Sequence, residues 1–276
     1  MAILDKQPRP IETPDALPPL TPTVPRRFVR YQGSVPVAVQ EQVIGEIRFT
    51  VFVDDKELVT FMCSPWKLRE LVTGFLYLEG LIATADDIVM MRVCLEDRLA
   101  EVRLAGGPIE IPERKILTSG CSGGMSFGKY LDELDRFRLG STRRFAPDLV
   151  YRAMLLLYQN ASLYHQARGV HTSVLVDEDD LLVVAEDLGR HNTLDKIQGH
   201  CMLAGLSTRD RIVVSSGRIS SEMLLKSAIM GLPVVGSRTS PTELAVTLAD
   251  RLNITVVGYI RPGSMNVYTH PWRLGG

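Results

Sequence analysis

Cysteine is scarce in this chain. Its 276 residues hold four, Cys63, Cys94, Cys121 and Cys201, and none belongs to a C-x-x-C or C-x-x-H pair. That spacing argues against a structural zinc site and against a disulfide framework. Long apolar runs are also missing, since none reaches the about 18 residues that a membrane span needs. The first residues are acidic and proline-containing where a secretory leader has an apolar stretch, so the expectation is a cytoplasmic protein. A P-loop and a G-x-G-x-x-G fingerprint are both absent, which removes support for an ordinary nucleotidase or dehydrogenase. Charge of one sign is lacking too: 31 basic against 32 acidic residues leave a net charge of −1. Bulk attraction to nucleic acid or anionic membranes is thereby excluded, and binding of a polyanion must rest on local clusters.

What is present is the composition of a soluble globular protein, 45% apolar and 23% charged, long enough for a large core and one or two domains. Seven of the sixteen prolines fall within residues 1–25, which read as an extended, disordered arm. Residues 26–115 read as a β-rich domain with one helix. The run from Val35 to Val53 alternates around Gly45 as an antiparallel strand pair does. Ser64 and Pro65 mark the N-cap and first position of a helix closing at Gly80, and strands follow at 88–95 and 99–104. Residues 116–145 read as a loop carrying Cys121 and a polar connection, followed by a helix at 147–166. Strands at 172–176, 181–187, 211–215, 233–236 and 254–259 then alternate with helices at 193–204, 220–230 and 241–252. That alternation, over residues 146–276, predicts a layered α/β sandwich, so the whole chain is α/β in its larger part and α+β overall.

One thiol stands apart. Thr118-Ser119-Gly120-Cys121-Ser122-Gly123-Gly124 sets Cys121 among small residues that leave its sulfur uncovered, with backbone N–H groups free to stabilise a thiolate or persulfide. An ordinary loop with an incidental cysteine has the same composition. Four donor-rich turns follow predicted strands: Glu186 to Lys196, Ser215 to Glu222, Arg238 to Thr242 and Tyr259 to Ser264. Each alone is explained by turn and cap chemistry, with Asn192 or Thr193 capping one helix and Ser220 another. Four such turns at successive strand ends converge on one sheet edge, the usual place for an anionic ligand. Ser216 and Arg218 offer hydroxyl, N–H and guanidinium donors suited to phosphate, with Arg261, His191 and Asn192 as further contacts. His171 and His270 sit in or beside these turns, whereas His165 and His200 read as helix-surface residues.

Taken together, the TSGC loop, EDLGRHNTLDK, SGRISSEMLLKSAIMGLPVV, SPTELAVTLADRLNITVVGYIRPGSMNVYTHPWRL and the earlier SPWKLRELVTGFLYLEGLI closely resemble the formate dehydrogenase accessory sulfurtransferase family, FdhD, from about residue 35 to the C-terminus. The resemblance implies a sulfur carrier. It would take persulfide sulfur from a cysteine desulfurase and pass it to the bis(molybdopterin guanine dinucleotide) form of the molybdenum cofactor, bound as substrate, on behalf of the formate dehydrogenase catalytic subunit. It also implies a C-terminal three-layer α/β/α sandwich similar to the cytidine deaminase fold without its zinc, a smaller β-rich N-terminal domain, and a homodimer with no intrinsic metal. By the same resemblance Cys121 bears the persulfide, and Tyr259, Ile260, Arg261, Pro262, Gly263 and Ser264 form the cofactor-binding turn.

The chain departs from the family at one place. Many members carry C-x-x-C in the cysteine loop, and here the second position is Gly124. Shuttling between two loop thiols is therefore excluded unless Cys63, Cys94 or Cys201 comes near; Cys94 and Cys201, in apolar segments, are expected to be buried. A one-thiol mechanism needs only Cys121. The alternative is a cofactor-binding chaperone without sulfur transfer, for which Cys121→Ala leaves formate dehydrogenase active. A nucleoside deaminase is disfavoured, since neither its His/Cys-x-Glu segment nor its P-C-x-x-C pair is present.

Overall fold

The computed structural model describes residues 21–107, 127–178 and 180–275. Cys121, Gly124 and the rest of the TSGC loop lie outside them, as do residues 1–20 of the expected arm. Thr23 to Pro25, also assigned to that arm, instead begin a strand. It is β1 (Thr23–Gln32), which pairs antiparallel with β2 (Val35–Ile44) through a two-residue turn at Gly33 and Ser34. The alternating run at 35–53 does hold two strands, but they do not pair with each other. β2 belongs to this separate hairpin, and β3 (Ile47–Val53) pairs with β4 (Lys56–Cys63) and β6 (Leu99–Leu104). The reason lies at Gly45, whose N–H donates to the Pro22 carbonyl and so ends β2 against the start of β1.

β4, β3, β6 and β5 (Ile88–Cys94) form, in that order, a four-stranded sheet. Its inward residues, among them Phe49, Val51, Phe61 and Val102, are buried under α1 (Leu68–Leu78). This helix begins later than Ser64 and Pro65 indicate: Lys67 is its N-cap, at φ +52°, and Ser64 is drawn into a buried network described below. Gly80, at φ +72°, follows its end as expected.

The larger unit is built on a six-stranded sheet in the order β12-β11-β10-β9-β7-β8: β7 (His171–Asp177), β8 (Asp180–Asp187), β9 (Ile212–Ser215), β10 (Val234–Ser237), β11 (Thr255–Arg261) and β12 (Ser264–Val267). Successive apolar residues in these strands face opposite ways, so both faces are buried. Leu175, Val213, Val235 and Val256 meet α5 (Arg190–Leu203), α6 (Ser221–Ile229) and α7 (Glu243–Leu252). Val174, Val214, Val234 and Val257 meet α3 (Pro147–Asn160) on the other side. This is the α/β/α layering that the sequence predicts. The helix expected at 147–166 is divided at Ala161, where α4 (Ser162–Ala167) begins. Residues 127–145, read as connection, contain α2 (Phe127–Asp132) and then pack on this unit through buried Leu134, Leu139 and Phe145. Among the described residues no helix is long and apolar enough to cross a membrane.

The two units join where α1 crosses α5 at backbone contact. A Cβ on Gly74 would lie 1.8 Å from the Asp195 carbonyl oxygen, and one on Gly199 would lie 1.9 Å from that of Glu70. No side chain other than hydrogen fits either position.

Candidate functional site

Strand directions decide which loops meet. β9, β10 and β11 are mutually parallel, β7 runs against β9, and β8 runs against β7. The carboxyl ends of β8, β9, β10 and β11 therefore share one edge, with the starts of β7 and β12 beside them. The four turns picked out in the sequence do converge there.

They are tied to one another through the backbone. Ser216 donates its N–H to the Thr172 carbonyl (2.9 Å) and its Oγ accepts from the Thr172 N–H (3.0 Å). Arg238 N–H donates to the Ser215 carbonyl, Ser237 Oγ to the Gly217 carbonyl, and Tyr259 N–H to the Thr239 carbonyl. At Gly217 a Cβ would come within 3.1 Å of His171 Nδ1 and of Arg190 Cβ, so the β9–α6 turn rests directly on both. Ser220 caps α6, accepting from Met223 N–H, and Thr242 caps α7 in the same way with Ala245.

The fourth turn is shaped by a bulge. Gly258 pairs with Asn266 and Arg261 with Ser264, so Tyr259 and Ile260 together oppose Met265 alone. Tyr259 takes φ +52°, a left-handed conformation unusual for an aromatic residue, and Gly263 takes φ +75°. The result turns Ile260 into the core while Tyr259 and Arg261 stay exposed, with Pro262, Gly263 and Ser264 at the tip. Arg261 Nη1 donates to the carbonyls of Arg238 (2.6 Å) and Ile260 (2.9 Å).

Beside this turn lies a cavity of about 500 Å³ lined by Tyr151, Met154, Leu155 and Tyr158 of α3 and by Ile260, Pro262, Arg238 and Arg261. The Arg238 guanidinium sits 5.4 Å from the Tyr158 ring centroid. Apolar walls with three arginines in the lining, Arg152, Arg238 and Arg261, are suited to a flat ring carrying an anionic group. Sequence reasoning missed the contribution of α3, for which it gives only a helix at 147–166. Further along the edge Arg218 is exposed and has no hydrogen-bond or ion-pair partner among the described residues. Burial, then the charges of Arg190 and Arg218, lowers the His171 pKa, so that ring is neutral at pH 7.

His191 and Asn192 occupy a different level of the site. α5 begins at Arg190, three residues before the expected start, and Gly189 is its N-cap in place of Asn192 or Thr193. Both side chains thereby enter the interior. Asn192 Nδ2 donates to Asp187 Oδ1 (2.8 Å), which also accepts from Gly189 N–H. Asp187 Oδ2 accepts from Lys196 Nζ (2.5 Å) and from the N–H and hydroxyl of Ser64 in the smaller unit. This fully buried carboxylate thus fixes the first turn of α5 and links it to the N-terminal sheet. His191 Nε2 pairs with Ser220 Oγ (3.1 Å), and its Nδ1 lies 3.6 Å from the Glu222 carboxylate. Burial, with help from Lys226 and Arg190, pushes its pKa down to about 2, so it is a neutral support for the α6 cap. His270 is at the opposite end of the sheet, where its backbone carbonyl accepts from Thr255 at the start of β11.

The described thiols are placed otherwise than the sequence indicates for one of them. Cys201 is buried as expected, and burial raises its pKa to about 11. Cys63, on the inward face of β4, is also buried; burial and the nearby Asp187 charge raise its pKa to about 12. Cys94 is only half-buried, because it ends the edge strand β5, and its Sγ is 3.0 Å from an Asp97 carboxylate oxygen. Neither Cys63 nor Cys201 supplies thiolate near neutral pH.

Comparison with known proteins fits this arrangement. The model of the FdhD/NarQ family matches residues 44–275. The sulfur carrier protein FdhD of Bacillus subtilis is 37% identical over 257 residues, covering 91% of this chain and 97% of the relative. The protein of the same name from Geobacillus kaustophilus is 36% identical over 253 residues, 90% and 96% of the two chains. A crystal structure from Desulfotalea psychrophila, described as a formate dehydrogenase accessory protein, superposes with a TM-score of 0.75 at 27% identity, over 92% of this chain and 100% of that one. The chain belongs to the FdhD/NarQ family.

Proposed function

We propose that this protein is a sulfur carrier serving formate dehydrogenase, with Cys121 as the carrying thiol and the sheet edge as the seat of the acceptor. The Cys121 thiolate attacks the outer sulfur of a cysteine desulfurase persulfide. A new S–S bond forms on Cys121, the old one breaks, and the desulfurase cysteine leaves as thiolate. The acceptor is the bis(molybdopterin guanine dinucleotide) molybdenum cofactor, bound as substrate. Its guanine fits the apolar shelf of Tyr158 and Arg238, and its phosphates fit Arg261, Arg218 and the Ser216 hydroxyl. The protein works in the cytoplasm as a homodimer. The observation that carries this reading is the meeting of the Arg238–Thr242 and Tyr259–Ser264 turns at a cavity of about 500 Å³, with the Ser215–Glu222 turn tied to them by hydrogen bonds. In support, the relatives named above are called sulfur carriers.

Titration calorimetry with guanosine diphosphate as probe tests the binding half. Arg261→Ala and Arg218→Ala are each expected to weaken binding about tenfold or more, the loss of a charge-assisted hydrogen bond. Wild-type affinity in both variants would remove the edge from the reading.

A further inference from the structure

The cavity beside the fourth turn is one-sided in its hydrogen-bonding chemistry. The polar side chains of its lining are Tyr151, Arg152, Tyr158, Arg238 and Arg261, with no carboxylate, amide or imidazole among them. The carbonyls of Arg238 and Ile260, both residues of the lining, already accept from Arg261 Nη1. A guanidinium donates and never accepts, so, the two phenol oxygens apart, these walls favour a ring edge made of acceptors. Guanine has such an edge in O6 and N7. Adenine sets an amino group where guanine has O6, and would turn its hydrogens toward a cation.

The three arginines are not equally available. Arg261 is bound back to the two carbonyls, and Arg152 has an interaction of its own. The Arg238 side chain is exposed and makes no hydrogen bond or ion pair among the described residues. Its backbone is fixed on both sides, the N–H donating to the Ser215 carbonyl (3.1 Å) and the carbonyl accepting from Arg261 (2.6 Å). The guanidinium rests 5.4 Å from the Tyr158 ring centroid. Attraction to a ring leaves the N–H donors of a guanidinium, which lie in its own plane, for a ligand. The two residues thus differ in what they recognise: a tyrosine face stacks on any flat base, and a guanidinium fork pairs with two acceptors side by side.

We propose that Arg238 sets the base specificity of this site by donating two N–H groups to O6 and N7 of a guanine. The inference rests on the preceding reading, that a guanine nucleotide binds here, and names the group that selects it. Titration calorimetry of the full chain with the diphosphates of guanosine, inosine, 7-deazaguanosine and adenosine tests it. Inosine keeps O6 and N7 and lacks only the 2-amino group, so it is expected to bind as guanosine does. The 7-deaza analogue and adenosine are each expected to bind about tenfold more weakly or worse. Arg238→Gln is expected to bring the guanosine-to-adenosine affinity ratio to about one or below, because an amide pairs with N6 and N7 of adenine. A guanosine preference that inosine loses, or that Arg238→Gln leaves unchanged, overturns the assignment to Arg238. Equal wild-type binding of the guanosine and adenosine diphosphates overturns base selection at this site. Binding of none of the four overturns the seat of the nucleotide and this inference together.

Discussion

At Asp187 five donors from two parts of the chain, Ser64 and the start of α5, meet one carboxylate. Polar residues here are costly to bury alone and are retained as a satisfied set. Next to this set in α5, His191, held against Ser220 and Glu222, is the residue with a pH signature. Its folded pKa of about 2 lies below the 6.5 of the unfolded chain, so below 6.5 only the unfolded state takes up its proton. Stability from this source is therefore complete above that value and falls as the pH drops. Between pH ~7.5 and ~5 wild type should lose about 2 kcal/mol more than His191→Gln. Urea unfolding at the two pH values measures it, and equal losses would mean that His191 is open to protons in the fold. Sequence reasoning saw the density of polar types in 186–196 but assigned Ser64 and Asn192 to helix caps. Asp187 and Ser64 stand far apart in sequence, and nothing local signals that they meet. The early start of α5, which takes His191 and Asn192 inside, is hidden for the same reason.

Among the elements, the crossing of α1 and α5 governs how the smaller unit meets the larger one. Both helices contribute a glycine where any Cβ would strike backbone. Gly74→Ala should cost about 3 kcal/mol or more by forcing the helices apart, read as a drop in the unfolding midpoint. A midpoint unchanged from wild type would show that the helices separate freely. The five expected strands of the larger unit match β7 to β11 because each is an apolar run ended by a polar turn, whereas the short edge strand β12 was not foreseen. The Val35 to Val53 alternation, by contrast, carries no information about partners. Period two makes β2 and β3 strands; only the chain reversal at Gly45 and Pro22 decides that each pairs elsewhere. The bulge at Tyr259 and Ile260 is equally silent in sequence, yet it turns Arg261 out to the edge.

For the whole molecule, the convergence of four turns on one edge was legible before any coordinates, because parallel strands joined by helices must bring their carboxyl ends together. The cavity between that edge and α3 was not, since it depends on which face of α3 meets the sheet. Of the described thiols, Cys63 and Cys201 are buried with raised pKa values and Cys94 is half-buried, a division that supports the proposed role of Cys121 against two of the three. The most direct test is intact-protein mass spectrometry after incubation with a cysteine desulfurase and cysteine. Wild type should gain about one sulfur mass, lost on reduction and absent in Cys121→Ala. A wild type that gains no mass, or a Cys121→Ala variant that gains it equally, would contradict the account.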